Sequence, residues 1–323
     1  MHNKFYGIYA SYIEQYVALK KELGLKYNLE EFIYSLFDRF TIARNEKTVG
    51  ITKHLADEWN SKKPNESEAY RYRKAVCLNQ LSSFLCKLGM QSYLPQLPPI
   101  KISFCPYIFS KQEIACIFVA CDNITLQSGM KSIVIILPAL IRLLYGTGLR
   151  ISEALSLRNE DINLVDQFLI VRDSKNGTER IIPMSDSLSE VCREYLKYRD
   201  QLPLAMPNNY FFVSLTGSAC KPDYVRKWFS KILQEAGINR NDTGPRLHDL
   251  RHTFSVHSLA LMAESGMDLY CSLPILSRYL GHLTLESTNS YVRLTSEIYP
   301  GLLKDVETVC FNVFPKINLY ETE

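Results

Sequence analysis

The sequence lacks a long uninterrupted run of apolar residues. Its longest such stretch, Ile133 to Ile141, contains Pro138 and is far shorter than the roughly 20 residues that a membrane-spanning helix needs. The amino terminus also lacks the basic segment, apolar run and small-residue cleavage site of a secretory signal. We therefore expect a soluble, cytoplasmic protein with no membrane partner.

The cysteine spacing of a disulfide framework or a zinc site is missing as well. The nine cysteines are an odd number, lie scattered from Cys77 to Cys310 and include no C-x-x-C pair. We expect reduced thiols, and no metal site is predicted.

Internal repeats and low-complexity tracts are absent too, and the composition is that of a globular protein. Hydrophobic residues make up 46% and charged residues 22% of the 323 residues, a length that favours two domains. Residues 1–100 carry 14 basic and 10 acidic side chains (14 − 10 = +4), against 23 − 24 = −1 for the remainder. A solvated surface explains such an excess more often than a polyanionic partner does.

The first 92 residues show helical periodicity. The spacing predicts four helices, over Tyr6–Leu23, Leu29–Phe40, Lys53–Trp59 and Glu66–Leu88. Tyrosines beside basic residues in the fourth helix suit contact with a nucleic-acid backbone, and they suit packing and solubility as well. Three prolines between positions 95 and 99 cannot continue a helix, so we place a domain linker over 93–109.

A second domain is predicted over 110–323. Helices are expected over Ser110–Cys121, Lys131–Tyr145 and Ile151–Leu157, the first opened by the reciprocal cap of Ser110 and Glu113. Two strand-like runs joined by an Asn-Gly turn predict a hairpin of Phe168–Val171 and Arg180–Pro183, and helices separated by glycines follow. The predicted fold is mainly α with a small β-sheet: a helical amino-terminal domain followed by an α+β domain.

Four short motifs stand out in the second domain. They are Gly146-Thr147-Gly148-Leu149-Arg150-Ile151-Ser152-Glu153, the hairpin turn with Lys175, Leu247-His248-Asp249-Leu250-Arg251-His252, and Leu280-Gly281-His282 followed by Tyr291. Their order and spacing resemble the tyrosine recombinases, or phage-type integrases, in the two-domain Xer-like form. The resemblance covers nearly all of residues 110–295 and implies a helical, SAM-like core-binding domain before the catalytic domain.

The resemblance also implies a role for each motif residue. Tyr291 stands where the nucleophile lies, which attacks a DNA phosphate, displaces the 5′ hydroxyl and leaves a 3′-phosphotyrosyl bond. Arg150 and Arg251 occupy the arginine positions, where guanidinium donors match the phosphate oxygens. By the same resemblance, His248 assists proton transfer at the tyrosine and Lys175 protonates the 5′ oxygen. His282 hydrogen-bonds the phosphate, and Glu153 is the acidic residue that supports the site. The reaction implied needs no ATP, metal or other cofactor.

Each of these residues has a structural interpretation beside the catalytic one. Tyr291 is one of 20 tyrosines and could pack in a core. Arg150 could simply pair with Glu153 three residues on. A lysine in an Asn-Gly turn, such as Lys175, is most often merely exposed, and His282 could begin a helix after its glycine. The functional interpretation depends on all these positions occurring together.

Two histidines and two segments lie outside the pattern. His252 and His257 are interpreted as packing residues. The stretch from Arg251 to Gly281 is longer than in the plainest members of the family. An apolar carboxyl-terminal tail follows Tyr291, and by resemblance we expect residues 300–323 to dock on a neighbouring subunit.

The function implied is site-specific DNA strand exchange through a Holliday junction. Double-stranded DNA is the expected partner, bound by a homotetramer or by a tetramer with a sister recombinase, in the cytoplasm at the bacterial nucleoid. The long stretch and the tail favour a mobile-element integrase. The alternatives are a recombinase that resolves chromosome dimers, a type IB topoisomerase, and an inert DNA-binding accessory protein.

Overall fold

The computed structural model describes residues 4–98, 105–124, 133–172, 179–201, 209–238, 244–282 and 284–299. The chain divides into two compact units, Met1–Phe104 and Cys105–Glu323. The division falls inside the segment 93–109. Within the described residues, no helix is long and apolar enough to cross a bilayer.

The first unit is a set of four helices around an aromatic core. The helices are α1 (Ala10–Glu22), α2 (Asn28–Ala43), α3 (Lys53–Trp59) and α4 (Glu68–Lys87). Their shared core contains Tyr9, Tyr34, Phe37 and Trp59, all buried, with the Phe37 and Trp59 rings packed edge to face at 5.2 Å.

Two of these helices begin later than the sequence periodicity predicts. The carboxylate of Asp38 accepts the backbone N–H groups of Tyr6 and Gly7 at 2.8 and 2.9 Å, which holds this segment against α2 ahead of the first turn of α1. In α4 the Ser67 hydroxyl accepts the N–H of Tyr70 and fixes the start after Glu66. The α3 bounds agree with the prediction, with Thr52 as the capping residue.

The second unit combines eight helices of the described chain with a three-stranded antiparallel sheet in the order β1-β2-β3. The helices are α5 (Lys111–Asp122), α6 (Leu137–Thr147), α7 (Ile151–Ser156), α8 (Asp186–Arg199), α9 (Pro222–Glu235), α10 (Asp249–Glu264), α11 (Leu269–Leu280) and α12 (Glu286–Ile298). The strands are β1 (Ile162–Asn163), β2 (Phe168–Val171) and β3 (Arg180–Pro183), with Leu169 opposite Ile182. The predicted mainly α fold with a small sheet is confirmed. The two-residue strand β1 was missed, because two residues carry no periodicity.

The helix predicted over Lys131–Tyr145 differs at both ends. Its first two residues lie outside the described chain, and a 3-10 turn at Val134–Ile136 precedes α6, which begins beside Pro138. The helix then continues through Gly146 to Thr147, so the break falls at Gly148 alone. Gly148 has a φ of +61° and caps the helix in the left-handed conformation that favours glycine.

Helix α10 is the centre of the second unit. It packs against α6, α11 and α12 and buries Leu250, Val256 and Leu259 completely. Because its first turn meets the ends of α6 and α11, the motif residues carried by these elements converge there.

Candidate active site

Five structural elements bring the motif residues together at the amino-terminal end of α10. The α6–α7 turn supplies Arg150 and α7 supplies Glu153, while α10 with its preceding residue supplies His248 and Arg251. The residues after α11 supply His282, and α12 supplies Tyr291. A sixth element, β3, contributes Arg180, which the sequence motifs did not include.

Arg251 is fixed by backbone carbonyls from two of the other elements. Its Nη1 donates to the carbonyl oxygen of Gly148 at 2.8 Å, and its Nη2 donates to that of Leu280 at 2.9 Å. Only 2% of the residue is exposed. Burial, followed by the nearby charge of Arg150, lowers the pKa of Arg251 to about 10, so the guanidinium stays charged at neutral pH. A rigid, buried cation of this kind can hold an anion in one geometry.

The Glu153 carboxylate accepts hydrogen bonds from two of the cationic side chains. It accepts the backbone N–H of Arg150 at 2.9 Å and its Nη1 at 2.8 Å. Arg180 donates to both carboxylate oxygens, at 2.8 and 3.3 Å. Burial raises the pKa of Glu153, but the hydrogen bonds from Arg180 and Arg150 outweigh burial and hold that pKa below its usual value. Glu153 is therefore ionised and orients two guanidinium groups.

This cluster carries excess positive charge. Arg150, Arg180 and Arg251 contribute three positive charges, and the carboxylate of Glu153 offsets one, which leaves two (3 − 1 = 2). Unbalanced charge is costly to bury unless an anion completes the site. The arrangement therefore suits a phosphodiester, whose reaction concentrates negative charge on its oxygens.

His282 is joined to Arg251 in a way that fixes its tautomer. Its Nε2 lies 3.0 Å from Nη2 of Arg251, which can only donate, and its Nδ1 lies 2.8 Å from Oγ1 of Thr288. Burial, followed by the charge of Arg251, lowers the pKa of His282 to about 4, so the ring is neutral. The geometry therefore assigns the proton to Nδ1.

The glycine before His282 is required by the approach of β3. Gly281 ends α11 with a φ of +67°, and an added Cβ would lie 3.0 Å from Nη1 of Arg180. Arg180 also donates through Nε to the carbonyl oxygen of Tyr279 at 3.0 Å. Strand β3 is thereby joined both to Glu153 and to the segment that carries His282.

Tyr291 is 3% exposed and its hydroxyl faces the cluster. Nδ1 of His252 lies 2.9 Å from its Oη, and its ring stacks at 6.3 Å with that of His282. Burial raises the pKa of Tyr291 above its usual value, while the charge of Arg251 acts in the opposite direction. The phenol is therefore protonated at neutral pH.

His248 lies at the edge of this group. It directly precedes α10 and is exposed to solvent, and its ring contacts that of His252 edge to face at 4.8 Å. No hydrogen bond joins His248 to Tyr291, both of which the structure describes. Lys175 lies outside the described residues, as does the tail over 300–323.

Sequence reasoning missed two residues of this site. His252 was interpreted as a packing residue, although it lies one helical turn after His248 and so on the same face, a spacing that could have indicated it. Arg180 begins a strand and has no partner nearby in sequence, because Glu153 is 27 residues away. Only the folded chain brings that pair together.

Comparison with known proteins agrees with the geometry. The phage integrase family matches residues 108–297. The putative integrase/recombinase y4rB of Sinorhizobium fredii is 28% identical over 305 residues, which cover 91% of this chain and 96% of the relative. Tyrosine recombinase XerA of Pyrococcus horikoshii is 32% identical over 227 residues, which cover 69% of each protein.

Solved structures share the fold. The Tn1549 transposon integrase in complex with transposon right end DNA has a TM-score of 0.65 at 16% identity, over 88% of this chain and 98% of that one. The XerH site-specific recombinase bound to palindromic difH substrate has a TM-score of 0.62 at 22% identity, over 82% and 74%. Since the family match spans more than half of the chain and includes every motif residue of the site, the protein belongs to the phage integrase family of tyrosine recombinases, enzymes that cleave and rejoin DNA.

Proposed function

We propose that this protein is a site-specific recombinase that exchanges DNA strands through a Holliday junction on behalf of a mobile element. The observation that carries the proposal is the placement of the buried Tyr291 hydroxyl among cationic side chains that retain two uncompensated charges. The family membership and the relative named integrase/recombinase support it.

In the proposed cleavage step, Oη of Tyr291 forms a bond to phosphorus and the bond from phosphorus to the 5′ oxygen breaks. Arg150 and Arg251 hold the non-bridging oxygens. Glu153 keeps Arg150 in place, and Nε2 of His282 keeps Arg251 in place by accepting from its Nη2. Lys175 delivers the proton that the departing 5′ oxygen needs. Rejoining is the reverse step with the 5′ hydroxyl of another strand as the attacking group, because the phosphotyrosyl bond retains the energy of the broken phosphodiester.

We assign residues 1–92 to DNA binding, 93–109 to the linker and 110–323 to the catalytic domain with its tail. Four copies, or copies with a sister recombinase, would bring two duplexes together where the DNA lies, at the cytoplasmic nucleoid. Lys and Arg contacts to phosphates make the affinity strongly salt-dependent. Deletion of 300–323 should prevent assembly of four subunits on DNA, and a truncated chain that still assembles as a tetramer would remove the tail from this proposal.

Covalent trapping tests the function and finds the target. The protein is incubated with nicked fragments of its host's DNA and denatured, and the ends of the DNA that stays attached are sequenced. A recombinase yields adducts at one shared sequence, and these vanish in Tyr291→Phe but persist in Tyr279→Phe, a matched change 12 positions earlier in the chain. Absence of adducts would contradict the proposal and favour an inert accessory protein.

The same experiment separates the remaining alternatives. A type IB topoisomerase would give adducts spread over many sequences and would relax a supercoiled plasmid without joining sites. A recombinase that resolves chromosome dimers would give one adduct site, located in the chromosome away from any mobile element. Adducts at the ends of a mobile element are the expected result.

A further inference from the structure

The strongest unassigned feature of the site is the contact between His252 and the tyrosine. Nδ1 of His252 lies 2.9 Å from Oη of Tyr291, which is ordinary hydrogen-bond distance. The two rings lie 5.7 Å apart with a 52° tilt, so the contact is through the polar edge of the imidazole rather than its face.

The contact is held from both sides by packing. Tyr291 is fixed on α12, where its backbone carbonyl accepts the hydroxyl of Thr295 at 2.7 Å. His252 lies in the first turn of α10, directly after Arg251, whose guanidinium is tied to two backbone carbonyls. The hydrogen bond thus joins α10 to α12, two helices that pack against each other, and does not depend on a loop.

We propose that His252, rather than the His248 that the family resemblance indicates, is the catalytic residue that accepts the proton of Tyr291 as the tyrosine attacks DNA. This inference rests on the proposed function. As the Oη–P bond forms, the phenolic proton moves to Nδ1 of His252. The P–O5′ bond breaks, and the 5′ oxygen takes its proton from the general acid. The proton that Tyr291 loses is thus balanced by the proton that the 5′ oxygen gains. In rejoining, His252 returns the proton to Oη.

The surroundings of His252 suit a neutral base. The ionisable groups that act on His252 electrostatically are His248 and Arg251 from its own helix region, Arg246 from the preceding loop and His282 from the segment after α11. Burial, followed by the nearby His248 and Arg251, lowers the pKa of His252 to about 3, so it is an uncharged acceptor. The Tyr291 pKa is raised by burial. Because the phenol is protonated at neutral pH, its proton leaves during attack when His252 is present to accept it.

A second histidine on the same helix gives a matched control. Nδ1 of His257 lies 3.0 Å from Oη of Tyr145, where α10 packs against α6. The contact joins the same two atom types as that between His252 and Tyr291, at nearly the same distance. His257→Asn and His252→Asn therefore make the same chemical change to a histidine–tyrosine hydrogen bond. Asparagine keeps a hydrogen-bonding atom near the Nδ1 position but cannot take a proton.

Single-turnover cleavage of a synthetic duplex tests the inference. The duplex carries the DNA sequence that covalent trapping identifies. We expect His252→Asn to slow cleavage by about 100-fold or more, the usual scale of general base catalysis, with the DNA dissociation constant within threefold of wild type. The His257→Asn rate should stay within threefold of wild type. The wild-type rate should be flat between pH 6 and 8, whereas the His252→Asn rate should rise about tenfold per pH unit as phenolate forms.

A His252→Asn rate within threefold of wild type, or one with a flat pH profile, would overturn the inference while leaving the proposed function intact, because adducts would still form. Adducts that fail to form in wild type would overturn both. Nitrogen-15 chemical shifts of the wild-type histidines provide a measurement that needs no variant. An unprotonated Nδ1 at His252 is expected, and a protonated Nδ1 would overturn the inference.

Discussion

Glu153 and Arg180 form a buried, two-pronged ion pair between α7 and β3. Nη2 lies 2.8 Å from Oε2 and Nη1 lies 3.3 Å from Oε1, and the carboxyl group is 2% exposed. The pair fixes the carboxylate that accepts hydrogen bonds from both Arg150 and Arg180. Changing Glu153 should mainly lower the stability of the fold, whereas changing Arg180 should mainly lower the rate of catalysis.

Glu153→Gln should destabilise the fold. The substitution leaves the buried Arg251 and the partly buried Arg150 and Arg180 without their shared carboxylate, and breaking a buried ion pair costs about 3–5 kcal/mol. Glu190→Gln is the control, because Glu190 pairs with Arg193 at the surface, where such a pair contributes about 0–1 kcal/mol. Urea unfolding of both variants provides the measurement, and equal losses would contradict the role assigned to Glu153.

Arg180→Lys should lower the cleavage rate more than DNA affinity. Lysine cannot donate to both oxygens of Glu153 and to the carbonyl of Tyr279 at once, so the segment carrying His282 loses its connection to β3. A displacement of this kind costs about 10- to 100-fold in rate. Arg193→Lys, at an exposed pair, should leave the rate unchanged. A defect confined to the dissociation constant would instead indicate that Arg180 acts through DNA binding.

Gly148→Ala should be much more harmful than Gly237→Ala. Both glycines have a positive φ, +61° and +71°, so alanine is strained at each by about 1–2 kcal/mol. At Gly148, however, the added Cβ would also collide with the Phe254 ring, whereas nothing lies within 4 Å at Gly237. Overpacking adds about 1–3 kcal/mol. Thermal or urea unfolding compares the two variants, and similar losses would show that the α6–α7 turn can relax.

Stability should fall as the pH is lowered below about 6.5. His252 and His282 have pKa values of about 3 and 4 in the folded protein because burial disfavours their charged forms, against roughly 6.5 when unfolded. Between these values the unfolded chain binds more protons, so acid favours unfolding by up to about 1.4 kcal/mol per pH unit for each histidine.

The contribution of one histidine can be isolated by difference. Urea unfolding of wild type and His252→Asn at pH 7.5, 6.5 and 5.5 should show a shallower pH dependence in the variant, because one such group has been removed. Identical pH dependence would mean that His252 is already charged in the folded protein, which would contradict a neutral imidazole beside Tyr291.

The sequence predicted the elements whose signals are local. The Ser110 cap, the strands Phe168–Val171 and Arg180–Pro183, and the bounds of α3 all depend on neighbouring residues, and all agree with the structure. Helix α1 was placed too early because the contact that delays it comes from Asp38, on a different helix.

The same distinction holds for the site. Arg150 and Glu153 form the ion pair that their spacing allows, and the motif residues that the structure describes converge around α10. Arg180 could not be found, since its partners Glu153 and Tyr279 are remote in sequence. His252 was within reach from its helical spacing, but two histidines one turn apart do not reveal which of them meets a tyrosine from another helix.

The most direct test of the central claim is to locate the DNA on the protein. The trapped adduct is digested with nuclease and trypsin, and the nucleotide that remains attached is located by mass spectrometry. The tryptic peptide 279–293 contains both Tyr279 and Tyr291, so fragmentation distinguishes the proposed nucleophile from a neighbouring tyrosine. A nucleotide joined through its 3′ phosphate to Tyr291 alone is expected. Attachment to Tyr279 or any other residue, or an adduct that survives Tyr291→Phe, would contradict it.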